Sequence, residues 1–140
     1  MTYKTLLLEK QDGVGIITLN RPDRLNALST ILFAEFERAL TQFEEDDEVK
    51  VLVVTGSGEK AFSAGADIHE MAKLPDERLR DRDARRTDWT WHLASFKKPT
   101  IGAINGLAYG GGALMASAFD IRIGCERSKF RFLAVTYSRV

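Results

Sequence analysis

The order of apolar periodicities along this chain of 140 residues predicts a mixed α/β fold. Three observations lead there. Two β-rich runs open the chain, a long amphipathic helical stretch follows, and later buried runs alternate with helical segments of small residues.

The opening runs are "TLLLEK" and "VGIITLN", and the turn signal "QDG" between them predicts a hairpin. "STILFAEFERALTQFEEDDE" predicts a helix capped by Ser29, with Leu32, Phe36, Leu40 and Phe43 on one face at steps of three and four. "KVLVVTGSG" reads as a short buried strand ending in a glycine turn. In "PDERLRDRDARRTD", residues 75 to 88, five arginines are matched by five acidic residues. That balance predicts a solvated, salt-bridged helix or a mobile loop, and argues against a nucleic-acid surface. "WTWHLASF" then puts Trp89, Leu93 and Phe96 on one helical face, with His92 beside it as a packed core histidine. "PTIGAING" and "DIRIGC" read as two more strands, with "GGALMASAF" a helix between them. No internal repeat or low-complexity linker interrupts the series, so one domain is expected.

Composition narrows the function classes. Twenty basic residues balance twenty acidic ones, so no global field recruits nucleic acid or anionic membrane. A single cysteine, Cys125, excludes an internal disulfide framework and reads as a small buried apolar residue. Near Met1 there is no cationic region leading into a long apolar segment, and no apolar run has membrane-spanning length. A cytoplasmic protein is expected.

Several chemical motifs fail on inspection. "GSGEKA", with Gly56, Gly58 and Ala61, imitates a dinucleotide fingerprint, but "FSAGADI" turns again where an uninterrupted helix is required. No Gly-Lys-Ser/Thr follows to make a phosphate loop. "GLAYG" has the outline of a nucleophile elbow, yet Ala108 stands where serine is needed. His69 and His92 lack partners at zinc-like spacing, so no metal site is expected.

Backbone groups are left to carry the chemistry. "SAGADI" and "YGGGAL" each place small residues at a turn leading into a short helix. Small side chains let a ligand approach the main chain, and a helix start offers free N–H groups. Two such groups converging on one point stabilise developing negative charge on a carbonyl oxygen. The competing reading, that both glycine clusters merely allow tight packing, accounts for either loop alone but poorly for the pair.

With these loops in place, the chain resembles the crotonase superfamily of enoyl-CoA hydratases and isomerases. The matching stretches are "NRPDRLNALS", "KAFSAGADIHEM" and "KPTIGAINGLAYGGGALMASAFDIRIG", in family order and spacing. The resemblance implies a spiral of ββα units, with two roughly perpendicular sheets and surrounding helices. It implies that Ala66 and Gly111 are the two oxyanion N–H donors to an acyl-CoA thioester, with Gly110 beside them leaving room for it. Arg24 and Leu25 fall in the implied CoA-contacting loop, Ala64 where the backbone meets the adenine, and Lys60 near the nucleotide. Asp67 falls at a helix start, and Asp120 at a structural aspartate. Coenzyme A enters as part of the substrate, and no separate cofactor or metal is implied.

Two departures from the family pattern stand out. The first family glutamate falls on Leu114, and the second on Ala134 or, aligned from the chain end, on Tyr137. Neither acid–base position is therefore acidic. Family subunits are also nearly twice as long and close into trimers or hexamers, so residues 1–140 are expected to be a crotonase-like core domain without its C-terminal helical part. The function implied is enoyl-CoA hydration or isomerisation through a stabilised enolate; the alternative is a CoA-thioester-binding protein without hydratase activity.

Overall fold

A computed structural model describes residues 2–132, with the side chains of residues 79 and 81–87 left undescribed. The hairpin forms as expected, with β1 (Leu6–Gln11) antiparallel to β2 (Val14–Leu19). Gly13, at φ +82, turns the chain between them. A one-turn 3-10 helix, Pro22–Arg24, leads to α1 (Thr30–Glu45). Ser29 caps α1 by accepting from the Leu32 N–H at 3.2 Å, and Leu32, Phe36, Leu40 and Phe43 are all buried. Glu35 is buried on the same helix, because it accepts from the Lys4 and Thr5 N–H groups at 2.8 and 2.7 Å. Burial raises its carboxyl pKa, but these donors outweigh burial and leave it below the ordinary value.

From here the chain alternates between two sheets. β3 (Val51–Gly56) joins the hairpin in parallel, and β4 (Ala61–Ser63) starts a second sheet. The helices α2 (Ile68–Lys73) and α3 (Asp76–Ala94) follow. β5 (Thr100–Ile104) returns to the first sheet, β6 (Leu107–Tyr109) to the second, and α4 (Gly111–Ser117) closes that turn. β7 (Ile121–Gly124) and β8 (Lys129–Arg131) repeat the alternation. The result is a five-stranded sheet ordered β1-β2-β3-β5-β7 and a three-stranded sheet ordered β4-β6-β8. This is the ββα spiral implied by the resemblance. Asp120 has the structural place expected of it, accepting from the Thr100 N–H at 2.9 Å and so tying the start of β5 to β7.

The charge-balanced stretch is helical, as the first half of α3. The second half enters the core: Trp89 is fully buried between Phe33, stacked at 6.3 Å, and Phe36, edge-on at 5.9 Å. Leu93 is buried beside it, and Phe96 packs against the cluster just past the helix end. His92 is half-buried and touches two carboxylates of α1, Glu37 at 3.2 Å and Glu44 at 3.1 Å.

Two expectations are corrected, the first being His92, which is half-buried against two α1 carboxylates rather than packed in the core. The second is Cys125, which is exposed rather than buried. It follows β7, which with β8 forms the outer edge of both sheets, where Ile121, Ile123, Phe130 and Phe132 are also more than half exposed. Burial of a small apolar residue depends on what crosses over it, and a sequence window does not contain that information.

Candidate functional site

The loop after β4 is gripped by the segment between β2 and α1. The Ala64 N–H donates to the Leu25 carbonyl at 2.9 Å, and the Gly65 N–H to Ser63 Oγ at 3.2 Å. The Gly65 carbonyl accepts from the Leu28 N–H at 2.7 Å, and the Asp67 N–H donates to the Leu28 carbonyl at 3.4 Å. Of the four consecutive N–H groups from Ala64 to Asp67, only that of Ala66 has no acceptor among the described residues. Asp67 starts α2 as expected, its carboxylate accepting from the Glu70 N–H at 3.0 Å. It is 8% exposed and pairs with Arg21 at 3.0 Å. Burial raises the Asp67 pKa, but the Glu70 N–H and the Arg21 guanidinium prevail and hold it below the ordinary value.

The triple glycine sits against this loop, and each glycine meets a different demand. Gly110 has φ +54 and ψ −116, the first central position of a type II′ turn, with open space where a β-carbon would go. Conformation, not crowding, requires glycine there. Its N–H donates to the Arg131 carbonyl at 2.7 Å. Gly112 is a matter of contact: a β-carbon there would stand 2.1 Å from the Ser63 carbonyl oxygen. A β-carbon on Gly111 would stand 2.9 Å from Leu28 Cδ1 and 4.0 Å from the Ala66 nitrogen. Gly65, at φ +88, completes the fit, since a β-carbon there would lie 2.5 Å from the Tyr109 carbonyl oxygen and 2.9 Å from the Gly111 nitrogen.

The Ala66 and Gly111 nitrogens are thus brought side by side from loops 45 positions apart (111 − 66). The Gly111 N–H, at the first position of α4, also lacks an acceptor among the described residues. Both residues are half-exposed. Leu114 is half-buried on α4, one turn beyond Gly110, and brings no acid to this point. Ala134 and Tyr137 lie outside the described residues.

A groove of about 330 Å³ is lined by residues including Pro22, Leu25, Ser57 and Lys60, and Leu25 links it to the first of these loops. The structure therefore joins Leu25, Lys60 and Ala64 in one region, since Leu25 lines the groove and its carbonyl receives the Ala64 N–H. Arg24 is exposed on the 3-10 turn at the groove's edge. His69 is exposed on α2, and no cluster of three or more potential metal ligands occurs among the described residues.

Sequence reasoning missed the polar frame behind the site. Leu25 and Asn26 both have positive φ, +54 and +55. Fully buried Asn26 holds that shape: its Oδ1 accepts from the Arg21 N–H at 2.8 Å, and its Nδ2 donates to the Ser57 and Ala61 carbonyls at 3.0 Å. The available signal was asparagine's tolerance of left-handed backbone in a segment that must turn before Ser29.

Residues 9–137 match the family model described as enoyl-CoA hydratase/isomerase. A protein of Rhizobium meliloti named probable enoyl-CoA hydratase is 47% identical over 132 residues, covering 93% of this chain and 49% of that protein. The mitochondrial enoyl-CoA hydratase of Pongo abelii is 46% identical over 122 residues, 86% of this chain and 41% of its own. The crystal structure of an enoyl-CoA hydratase from Bacillus anthracis superposes with a TM-score of 0.91 at 33% identity, covering 98% of this chain and 53% of that one. The chain spans about half the length of the curated relatives it matches.

Proposed function

The chain belongs to the enoyl-CoA hydratase/isomerase family, and we propose that it carries the nucleotide groove and oxyanion donors of an acyl-CoA-processing enzyme of that type. The observation that supports this best is the pair of neighbouring, acceptor-free N–H groups of Ala66 and Gly111, with the Ala66 loop hydrogen-bonded through Ala64 to Leu25 of a groove that Lys60 also lines.

In this reading the thioester oxygen of an acyl-CoA accepts from both N–H groups. Electron density drawn onto that oxygen polarises a conjugated enoyl double bond, and an enolate formed from it keeps its charge on the same oxygen. The donors lie in fixed backbone, so little reorganisation is needed as charge develops. Arg24, Leu25, Lys60 and Ala64 hold the nucleotide portion, and coenzyme A arrives as part of the substrate. In the intact protein we expect a cytoplasmic homotrimer or homohexamer.

Leu114 favours a second reading, in which acyl-CoA is bound but hydration is slow for want of a carboxylate. A positioned acid or base contributes roughly 10²–10⁴-fold. Two measurements on the intact protein separate these: calorimetry with a saturated acyl-CoA, and loss of the conjugated absorbance of a short trans-2-enoyl-CoA. Binding with turnover supports the enzyme, and binding without turnover supports the second reading. No preference for acyl-CoA over free adenine nucleotide would count against both.

A further inference from the structure

The Arg21 side chain lies in the seam between the nucleotide groove and the Ala66 loop. Its Nη1 donates to the Ala27 carbonyl at 2.7 Å, and its Nη2 to the Asp67 carboxylate at 3.0 Å. Asp67 is 46 positions away in sequence, so this fork cross-links two loops. Ala27 precedes Leu28, which holds both main-chain neighbours of Ala66, accepting from Asp67 and donating to Gly65. On the other side, the Arg21 N–H is fixed by Asn26, and Pro22, the next residue, lines the groove. The same residue therefore touches the frame of the groove and the frame of the donor.

This matters because the nucleotide and thioester of an acyl-CoA are joined by a long flexible arm. Holding the nucleotide does not by itself place the carbonyl. The distance between groove and donor has to be set by the protein, and an error of about 1 Å at a reacting centre costs on the order of 10²-fold. A guanidinium suits the task, since its planar fork satisfies two acceptors in one fixed geometry, which a lysine ammonium does not reproduce.

We propose that Arg21 is a positioning residue, whose fork between the Ala27 carbonyl and the Asp67 carboxylate registers the Ala66 N–H with the nucleotide groove. The proposal rests on the oxyanion reading of Ala66 and Gly111. It assigns Arg21 an effect on thioester polarisation and turnover, not on nucleotide affinity.

The test uses the intact protein and its Arg21→Met, Arg21→Lys and Asp67→Asn variants, each checked for folding by circular dichroism. Difference infrared spectroscopy of a bound, isotope-labelled saturated acyl-CoA reads carbonyl polarisation as a shift to lower wavenumber. Calorimetry with free coenzyme A reads the groove alone. The expected result is unchanged affinity for free coenzyme A, loss of the carbonyl shift in Arg21→Met, and partial recovery in Arg21→Lys. Where turnover is measurable, kcat falls by roughly 10- to 100-fold with KM little changed. A full carbonyl shift in folded Arg21→Met overturns the proposal. So does a parallel loss of coenzyme A affinity and carbonyl shift, which marks Arg21 as a support of the whole fold. If Arg21→Met fails to fold, Asp67→Asn carries the same test, because asparagine still caps α2 while the ion pair is lost; a retained shift there overturns the proposal. Absence of any shift in the unsubstituted protein sinks the oxyanion reading itself, and is recognisable because it precedes any mutation.

Discussion

The loops at residues 63–67 and 109–112 both present main-chain N–H groups without an acceptor among the described residues, but they do so by opposite means. In the first, Leu25 and Leu28 of the segment before α1 take the N–H groups of Ala64 and Asp67, the Ser63 hydroxyl takes that of Gly65, and that of Ala66 is left. In the second, no side-chain hydrogen bond reaches Gly110, Gly111 or Gly112 among the described residues, and the shape comes from backbone that side chains would strain or block. The first loop is held by polar partners, so it should respond to charge and pH. The second is held by the absence of volume, so it should respond to added atoms.

The largest effect is expected at Gly111, the donor proposed for the second loop. Gly111→Pro removes the N–H, yet proline is tolerated at the first position of a helix such as α4. Turnover of a short enoyl-CoA should fall by about 10²–10³-fold, read in a variant checked for folding, since a β-carbon at this position would stand 2.9 Å from Leu28 Cδ1. Unchanged turnover in a folded variant would remove Gly111 from the proposed oxyanion pair.

Within the same loop, Gly112→Ala and Gly110→Ala should both destabilise, for different reasons. At Gly112 a methyl would meet the Ser63 carbonyl, fixed in β4, at a cost of about 1–3 kcal/mol. At Gly110 nothing is touched and only the backbone conformation, φ +54 with ψ −116, is penalised, about 1–3 kcal/mol. Denaturant melts would break the distinction if Gly112→Ala proved harmless.

The first loop should show acid sensitivity that the second lacks. Asp67 has a pKa below its unfolded value, so its stabilisation is fully present above the unfolded carboxylate range, near 4. It is lost as pH falls through the lower, folded value. Glu35 contributes in the same direction. Asp67→Asn should therefore flatten the decline in stability between neutral and strongly acidic pH, measured by melting temperature. An unaltered acid limb would mean that other carboxylates control it.

The smallest effect is expected outside both loops. Lys60 is exposed at the groove wall, so Lys60→Ala should weaken coenzyme A binding by about 0.2–1 kcal/mol, and less at high salt. Salt-independent weakening would point to lost packing rather than lost charge.

Much of the scaffold was legible because its signals are local. The "QDG" turn, the Ser29 cap and the apolar spacing of α1 each sit within one window of sequence, and each forms as read. The strands of the second sheet, implied only by the family resemblance, were not legible in local pattern. β4, β6 and β8 are three residues each, too short to show a period, and they exist through parallel pairing such as Ala61 with Leu107 and Leu107 with Lys129. The candidate site divides the same way. Small residues before two short helices announced available N–H groups, and family motifs assigned them to Ala66 and Gly111. That Gly65 lets those nitrogens approach, that Arg21 reaches Asp67, and that Cys125 faces outward were decided only by the tertiary structure. Caps and periodicities are properties of a few neighbouring residues, whereas a close approach between loops is fixed by the packing of everything that separates them.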